Sequence, residues 1–256
     1  MKIISYSLFG SEKFTPYTRL HFMTYLRGFY WNCRMNKLIY PDWDTVLNVD
    51  HLTYIRFREL FEDLKQSFGV RYVRYGNNQP ASKAMLQRLR PIWSDCVTHC
   101  IARDADAITT YREAQAVQAW LDSEMGVHMI LDHPCHIDLM GGMIGFKTEV
   151  LRKHFPSWEA LIEHFDFSNR GGDQDLMNQR IAPLVQDDIL WHVNTMPTVE
   201  LPGVDPMLSE SNSTCRHIGS SGVLESETIQ FFHRFDPNPE LEKLESKYPK
   251  IFYWRL

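Results

Sequence analysis

The chain has 256 residues, 44% of them hydrophobic and 23% charged, a composition that fits one full α/β core and excludes an extended disordered segment. A formal net charge of -5 argues against a dedicated nucleic-acid binder, which needs a basic stripe to neutralise phosphates. Five cysteines, odd in number and without a Cys-x-x-Cys pair, speak against a disulfide framework or zinc ribbon and for reduced thiols in a cytosol-like compartment. The first ten residues are too mixed for a signal peptide and no apolar run is long enough to span a bilayer, so a soluble, cytoplasmic protein is expected.

Residues 2–8 read as a buried strand closing into the turn Phe9-Gly10-Ser11, where glycine lets the backbone approach a ligand. A helix is expected over 15–34, then a surface turn at Asp42-Trp43-Asp44 and a strand over 45–49. Tyr54, Phe57, Leu60, Phe61 and Leu64 recur at helical spacing through 52–68, and Gly69 ends that helix. A strand over 70–75, a loop over 76–80 and a helix over 82–93 interrupted by Pro91 follow. The apolar run Val97-Thr98-His99-Cys100-Ile101-Ala102 is strand-like and ends in Asp104 and Asp106. Thr110 with Glu113 three residues on reads as a capping box for a helix that buries Ala114, Val117, Trp120 and Leu121. Strands over 127–131 and 141–146, helices over 148–154 and 173–185, and a strand over 189–193 complete the pattern. This alternation implies right-handed crossovers and a mostly parallel sheet flanked by helices. Past Met196 the pattern dissolves, and 197–256 are expected to form a loop-rich C-terminal cap of the same single domain, with Ile251-Phe252-Tyr253-Trp254 packing back on the body.

Asp-x-Asp occurs three times, at Asp42/Asp44, Asp104/Asp106 and Asp173/Asp175. The middle copy ends a buried strand, so it delivers two carboxylates to the edge where open α/β sheets bind ligands. Such a pair suits a hard, oxygen-ligated divalent cation; the alternative is a solvated turn or helix cap. Arg103 and Arg112 flank it, and Arg88 and Arg90 approach from the preceding helix, residues able to hold carboxylate or phosphate in a bidentate manner. Asp132-His133-Pro134-Cys135-His136 reads as a polar loop lining a pocket, since a proline separates the histidines and no third nitrogen ligand is near. Gly141 and Gly142 would let a sugar or a backbone come close. Asp173 and Asp175 either satisfy a helix dipole or place a carboxylate in the pocket, to accept a proton or face developing positive charge. His217 is the candidate imidazole for the cation's shell, with His192 as the other possibility.

Taken in order, these segments resemble GT-A type nucleotide-sugar-dependent glycosyltransferases of the bacterial and viral kind. The resemblance spans most of residues 3–220 and is carried by Ile4-Ser5-Tyr6-Ser7-Leu8-Phe9-Gly10, Met85-Leu86-Gln87-Arg88-Leu89, Arg103-Asp104-Ala105-Asp106, Tyr111-Arg112-Glu113, His128-Met129-Ile130-Leu131-Asp132-His133-Pro134, Gly141-Gly142-Met143-Ile144-Gly145 and Asp173-Gln174-Asp175-Leu176-Met177-Asn178. Asp173-Gln174-Asp175 and His217-Ile218-Gly219 are also similar to the glycogenin-like branch, although Lys-Pro-Trp does not follow, and Ala102 and Ala107 stand where related sequences tend to have serine. The resemblance implies a Rossmann-like fold with a nucleotide-binding half (1–110), an acceptor and sugar half (111–196) and the cap (197–256). It implies that Ser7, Leu8 and Phe9 border the base, that Arg88 and Arg103 contact the donor, and that Asp104 meets the ribose or the metal. Asp106 and His217 would join Asp104 on Mn²⁺ or Mg²⁺. Asp132, Gly141, Gly142 and Asp173 would face the sugar, with Asp173 or Asp175 as the base if the reaction inverts. Donor and acceptor would be a nucleotide-diphosphate sugar and a glycan or glycoprotein. A sugar-phosphate nucleotidyltransferase or a non-catalytic carbohydrate- or nucleotide-binding domain are the competing readings; the first needs a glycine-rich basic loop, and the first turn has one glycine.

Overall fold

The computed structural model describes residues 1–11, 16–131, 138–193, 204–205 and 239–249. Its centre is one mixed sheet built from β1 (Lys2–Leu8), β2 (Trp43–Asp50), β3 (Arg71–Tyr75), β4 (His99–Arg103), β5 (Val127–Leu131), β6 (Met143–Lys147), β7 (Ile189–Val193) and the two-residue β8 (Val204–Asp205). Their order is β3-β2-β1-β4-β6-β5-β7-β8, and every pairing is parallel except those of β6, which runs antiparallel between β4 and β5. The expected mostly parallel, helix-flanked α/β sheet is what forms. The chain winds from β1 outward to β3 and then returns to place β4 on the other side of β1. The carboxyl ends of β1 and β4 therefore open a crevice at a topological switch point, where ligands of such sheets bind.

Both faces of the sheet are covered. On one lie α1 (Pro16–Ile39), α3 (Arg58–Phe68) and α5 (Tyr111–Leu121), which bury Leu26, Phe29, Tyr30, Phe61, Leu64 and Trp120 against Ile4, Tyr6, Leu47 and Ile101. On the other, α4 (Ala81–Leu86), the 3₁₀ segment Gln87–Trp93, α6 (Thr148–Arg152), α7 (Trp158–Ile162), α8 (Gly172–Leu176) and α9 (Ala182–Val185) pack Leu86, Leu89, Ile92, Leu151, Leu161 and Leu176 onto Ile3, Cys100, Met129 and Ile144. Alternate residues of each strand thus feed two cores, which is why the strands read as continuous apolar runs.

Several boundaries depart from the sequence pattern for local reasons. Helix α1 runs five residues past the expected end, because Asn36 is buried and donates to Tyr6 Oη and Thr45 Oγ1, each at 3.1 Å, and so extends the packing face. The expected helix over 52–68 is two: α2 (His51–Arg56) and α3 meet at Phe57, whose φ of -111° and ψ of 21° break the helix while its ring stacks on Phe22. Gly69, at a φ of 73°, ends α3 as expected. Asp44 is part of β2, where it pairs with Arg71 at 3.2 Å, so only Asp42 is left in the turn. Between α8 and α9 lies a π turn, Met177–Ile181; Pro183 just beyond it has no N–H to continue the helical ladder. Gly141 and Gly142 precede β6 rather than forming its start.

Beyond β8 the described part is a helix over Pro239–Lys247, tied to the body by polar contacts. Glu245, buried, accepts from Tyr30 Oη at 2.8 Å and from Arg34 at 3.0 Å, and Lys247 bridges to Glu59 and Asp63. The rest of the expected cap, including Ile251-Phe252-Tyr253-Trp254, lies outside the described residues. Among the described residues no helix is long and apolar enough to cross a membrane.

A buried imidazole pair sits beneath α5. His128 of β5 stacks on Trp120 and meets the His192 ring edge-on at 4.8 Å, both histidines being fully buried. Burial first, then the His192 and Arg103 side chains, holds the His128 imidazole well below the ordinary histidine value. The folded protein keeps it neutral while an unfolded chain protonates it below about pH 6.5, so the stability tied to it is present at neutral pH and lost as pH falls. Urea midpoints at pH 7.5 and 5.5 are expected to differ less in His128→Phe, which keeps the stacked ring, than in the parent; an equal drop would remove His128 from the acid response.

Candidate active site

The crevice beyond β1 and β4 is organised by one buried cation. Arg88 comes from the 3₁₀ segment and is 3% exposed. Its Nη1 pairs with Asp104 Oδ1, and its Nη2 lies 3.6 Å from Asp173 Oδ2. Asp104 follows β4 directly, whereas Asp173 is in the first turn of α8, so the guanidinium fork joins a carboxylate from the middle of the sheet to one from a helix packed beside α4. The backbone makes room for the pair. A Cβ on Gly141 would collide with the Arg88 guanidinium, and one on Gly142 with the Asp104 carboxylate. The two glycines therefore bring the chain close to an ion pair of the protein itself. Leu139 two residues upstream is fixed by its N–H donating to Asn178 Oδ1 at 3.0 Å, which ties this loop to the helical run of Asp173.

Asp106 completes the carboxylate group. Burial, then the nearby Asp104 charge, pushes its carboxyl up to about 6, with Arg88 opposing. Tyr25 of α1 stands beside the same pair: burial first, then Asp106 and Asp104, pushes its phenol up to about 12, which keeps it a neutral hydrogen-bond donor. Helix α1 holds the Asp106 loop through a stripe at helical spacing. Gly28 packs so near that a Cβ would meet Ala105 O and Asp106 Cα. Asn32 then donates to Ala105 O at 3.1 Å and Ala107 O at 2.9 Å, and accepts from Thr109 N at 2.9 Å. One buried amide thus replaces the backbone pairing that the chain loses on leaving β4.

The first turn is fixed just as firmly. Gly10, at a φ of 88°, donates its N–H to Asp50 Oδ2 at 3.1 Å, and Asp50 also caps α2 through Thr53 N and Thr53 Oγ1 at 2.9 and 2.6 Å. Ser7 Oγ donates to Met85 O at 3.2 Å, linking β1 to α4. Ser7 and Phe9 are half-buried at the crevice, and Leu8 is turned into the core.

Of the residues singled out from sequence, Arg88, Asp104, Asp106, Gly141, Gly142 and Asp173 come together, with Ser7 and Phe9 at the end of the adjoining strand. Arg103 does not join them. It is buried in an ion pair with Glu113 at 2.6 Å and donates to Ala102 O and Ile144 O, because alternation along β4 sends it to the opposite side from Asp104. Glu113 is consequently taken from the capping box: Thr110 Oγ1 accepts from its N–H at 3.2 Å, but its carboxylate goes to Arg103. Asp175 points to solvent, two residues round the helix from Asp173. His192 is buried with His128 in the core. Asp132 and His217 lie outside the described residues. Tyr25, Asn32 and Asp50 were not anticipated; the small and polar positions Gly28, Asn32 and Asn36 within an otherwise aromatic helix were the available signal.

Two half-buried carboxylates with hard oxygens, in the loop after a strand, fit a divalent cation that keeps waters and binds phosphate oxygens. Among the described residues no group of three or more His, Cys, Asp or Glu side chains converges as a metal cage.

No protein-family model matches the chain, and no curated protein matches it in sequence. Among solved structures it is similar in chain path to the glycosyltransferase GlyE of Streptococcus pneumoniae TIGR4, with a TM-score of 0.45 and 13% identity over 75% of this chain and 45% of that one. It is similar to 4-diphosphocytidyl-2C-methyl-D-erythritolsynthase of Anaerococcus prevotii DSM 20548, with a TM-score of 0.48 and 9% identity over 78% and 90% of the two chains. The mannosyltransferase PcManGT of Pyrobaculum calidifontis, in complex with GDP-Man and Mn²⁺, gives a TM-score of 0.44 and 12% identity over 79% and 55%. The chain thus spans about half the length of these two glycosyltransferases.

Because Gly28 abuts backbone atoms, Gly28→Ala is expected to cost about 1–3 kcal/mol by overpacking and to shift the Asp106 loop. Gly76, where an added Cβ would meet nothing within 4 Å, is the control, and Gly76→Ala is expected to leave stability nearly unchanged. Chemical denaturation of the two variants measures the difference.

Proposed function

We propose that this chain is a glycosyltransferase that moves a sugar from a nucleotide-diphosphate sugar to an acceptor hydroxyl on a glycan or glycoprotein, using a divalent cation held at Asp104 and Asp106. The observation that carries this reading is the convergence of Asp104, Asp106 and Asp173 around buried Arg88 at the switch-point crevice. Residues 1–110 serve the nucleotide, 111–196 the sugar and acceptor, and 197–256 are the C-terminal cap of the same domain. The protein acts in the cytoplasm.

In this reading Asp104 and Asp106 hold Mn²⁺ or Mg²⁺, which when bound offsets charge on the departing nucleoside diphosphate. Phe9 and Ser7, at the carboxyl end of β1, border the nucleoside. Arg88 remains locked to Asp104 and Asp173, so it sets the separation between the diphosphate side of the crevice and the sugar side. Asp173, buried and ion-paired, is a fixed acceptor: it takes the proton of the attacking hydroxyl if configuration inverts, or faces an oxocarbenium-like charge if configuration is retained. Exposed Asp175 is the weaker candidate for that task.

Asp106→Ala is expected to abolish Mn²⁺-dependent binding of nucleotide sugars in calorimetric titrations while the fold persists, and undiminished binding would sink the cation assignment. Asp173→Asn is expected to keep donor affinity and lower turnover by about 10²–10⁴-fold. Since a cation needs the ionised carboxylate, and Asp106 is pushed up to about 6, cation affinity is expected to fall as pH drops from 7 to 5. Released product separates the readings: nucleoside diphosphate supports a glycosyltransferase, pyrophosphate a nucleotidyltransferase.

A further inference from the structure

A second concave surface lies on the outer flank of the sheet, between α3 and the edge strand β3, and encloses about 750 Å³. Four cations line it: Arg58 and Lys65 from α3, Arg71 and Arg74 from β3. Arg58 and Lys65 stand about 10 Å apart along α3, and Arg74 projects over Tyr54 on the same face of the sheet; Arg71, three residues from Arg74, is turned the other way by strand alternation and lies at the amino end of the groove. In a chain of net charge -5 this is a local reversal of sign. Asp44 pairs with Arg71 at 3.2 Å and so offsets that cation, and Glu62 accepts from Tyr54 Oη at 2.6 Å. Arg58, Lys65 and Arg74 make no ion pair among the described residues.

The aromatic floor holds these cations rather than offering open faces. Tyr54 carries the Arg74 guanidinium 5.1 Å above its ring and packs on Phe61 behind, and Tyr72 donates its hydroxyl to Phe61 O at 2.6 Å. Covered rings do not suit the base stacking that single-stranded nucleic acid requires. The concave shape does not suit a flat bilayer surface. Tyr54 and Arg74 lie toward the carboxyl ends of β2 and β3, the side of the sheet that also carries the Asp104 crevice, whereas Gly69 and Arg71 lie at the amino end.

We propose that this groove binds an anionic oligosaccharide, one bearing carboxylate, sulfate or phosphate groups along its length, and so retains an acceptor chain whose end reaches the crevice. Guanidinium groups meet such oxyanions in bidentate fashion, and a semi-rigid saccharide loses little conformational freedom on lying along the cations Arg58, Lys65 and Arg74. The occupant's class rests on the transferase reading; the binding itself does not, and it is measured without turnover.

The test is fluorescence anisotropy with a labelled sulfated octasaccharide and a labelled oligogalacturonate, against a neutral maltooligosaccharide, a poly-glutamate peptide, single-stranded RNA and anionic phosphatidylserine vesicles. The anionic saccharides are expected to bind tightest, with affinity falling as salt is raised. The doubly substituted Arg58→Gln/Arg74→Gln protein is expected to bind them at least about tenfold more weakly, while Lys153→Gln, elsewhere on the surface, changes nothing. Hydrogen exchange of the unaltered protein gives a second readout, with new protection expected over α3 and β3. Equal affinity in the double variant, absence of that protection, or tighter binding of the peptide, RNA or vesicles overturns the proposal. Nucleotide-sugar binding, measured on the same double variant, is expected to be unchanged; its absence from the unaltered protein would instead overturn the transferase reading.

Discussion

The crevice depends on the buried guanidinium of Arg88. A cation taken out of water is tolerable only when its partners are fixed, and removing one partner of such a group costs about 3–5 kcal/mol in known cases. Here the partners come from two separate elements, Asp104 after β4 and Asp173 in α8. Their separation is therefore set by one rigid planar fork rather than by loop conformation. The two glycines before β6 follow from the same demand, since the volume a side chain would fill is already occupied by the pair.

A second layer of constraint keeps the carboxylates in place. The loop 104–109 has left the sheet, so its backbone groups need other partners, and Asn32 supplies them from the middle of α1. Gly28 permits the approach that this requires, and Tyr25 extends the same stripe to the Asp106 carboxylate. On the opposite side of β4, Arg103 and Glu113 make a buried pair that fastens α5 to the sheet. Two arginines, one on each side of the same pair of aspartates in space, thus have different jobs: Arg88 shapes the crevice and Arg103 braces the scaffold behind it.

Much of this was legible in the sequence. The strands β1, β5 and β7 match their apolar runs to the residue, because a strand buried on both faces leaves a continuous apolar signature with polar flanks. The ranking of Asp104/Asp106 above the other two Asp-x-Asp pairs also follows from pattern, since it alone ends such a run. The interruptions were not legible. Phe57 and the π turn before Pro183 arise from what those residues pack against or fail to hydrogen-bond, and an apolar residue at helical spacing looks the same whether or not the helix passes through it.

Sequence by itself determined the class of fold, the strand that bears the carboxylates, and the small set of residues from which the crevice is made, because periodicity and chain order are local properties. Tertiary structure alone decided how that set divides. Arg88 and Arg103 are the same residue type, one in the segment before β4 and one directly before the motif, yet strand alternation turns Arg103 into the core while the 3₁₀ segment aims Arg88 at Asp104 and Asp173. Asp173 and Asp175 are both in the first turn of α8, yet the helical twist buries one and exposes the other. The direction in which a side chain points depends on the backbone that carries it and on what is packed around it, and neither is written in residue type.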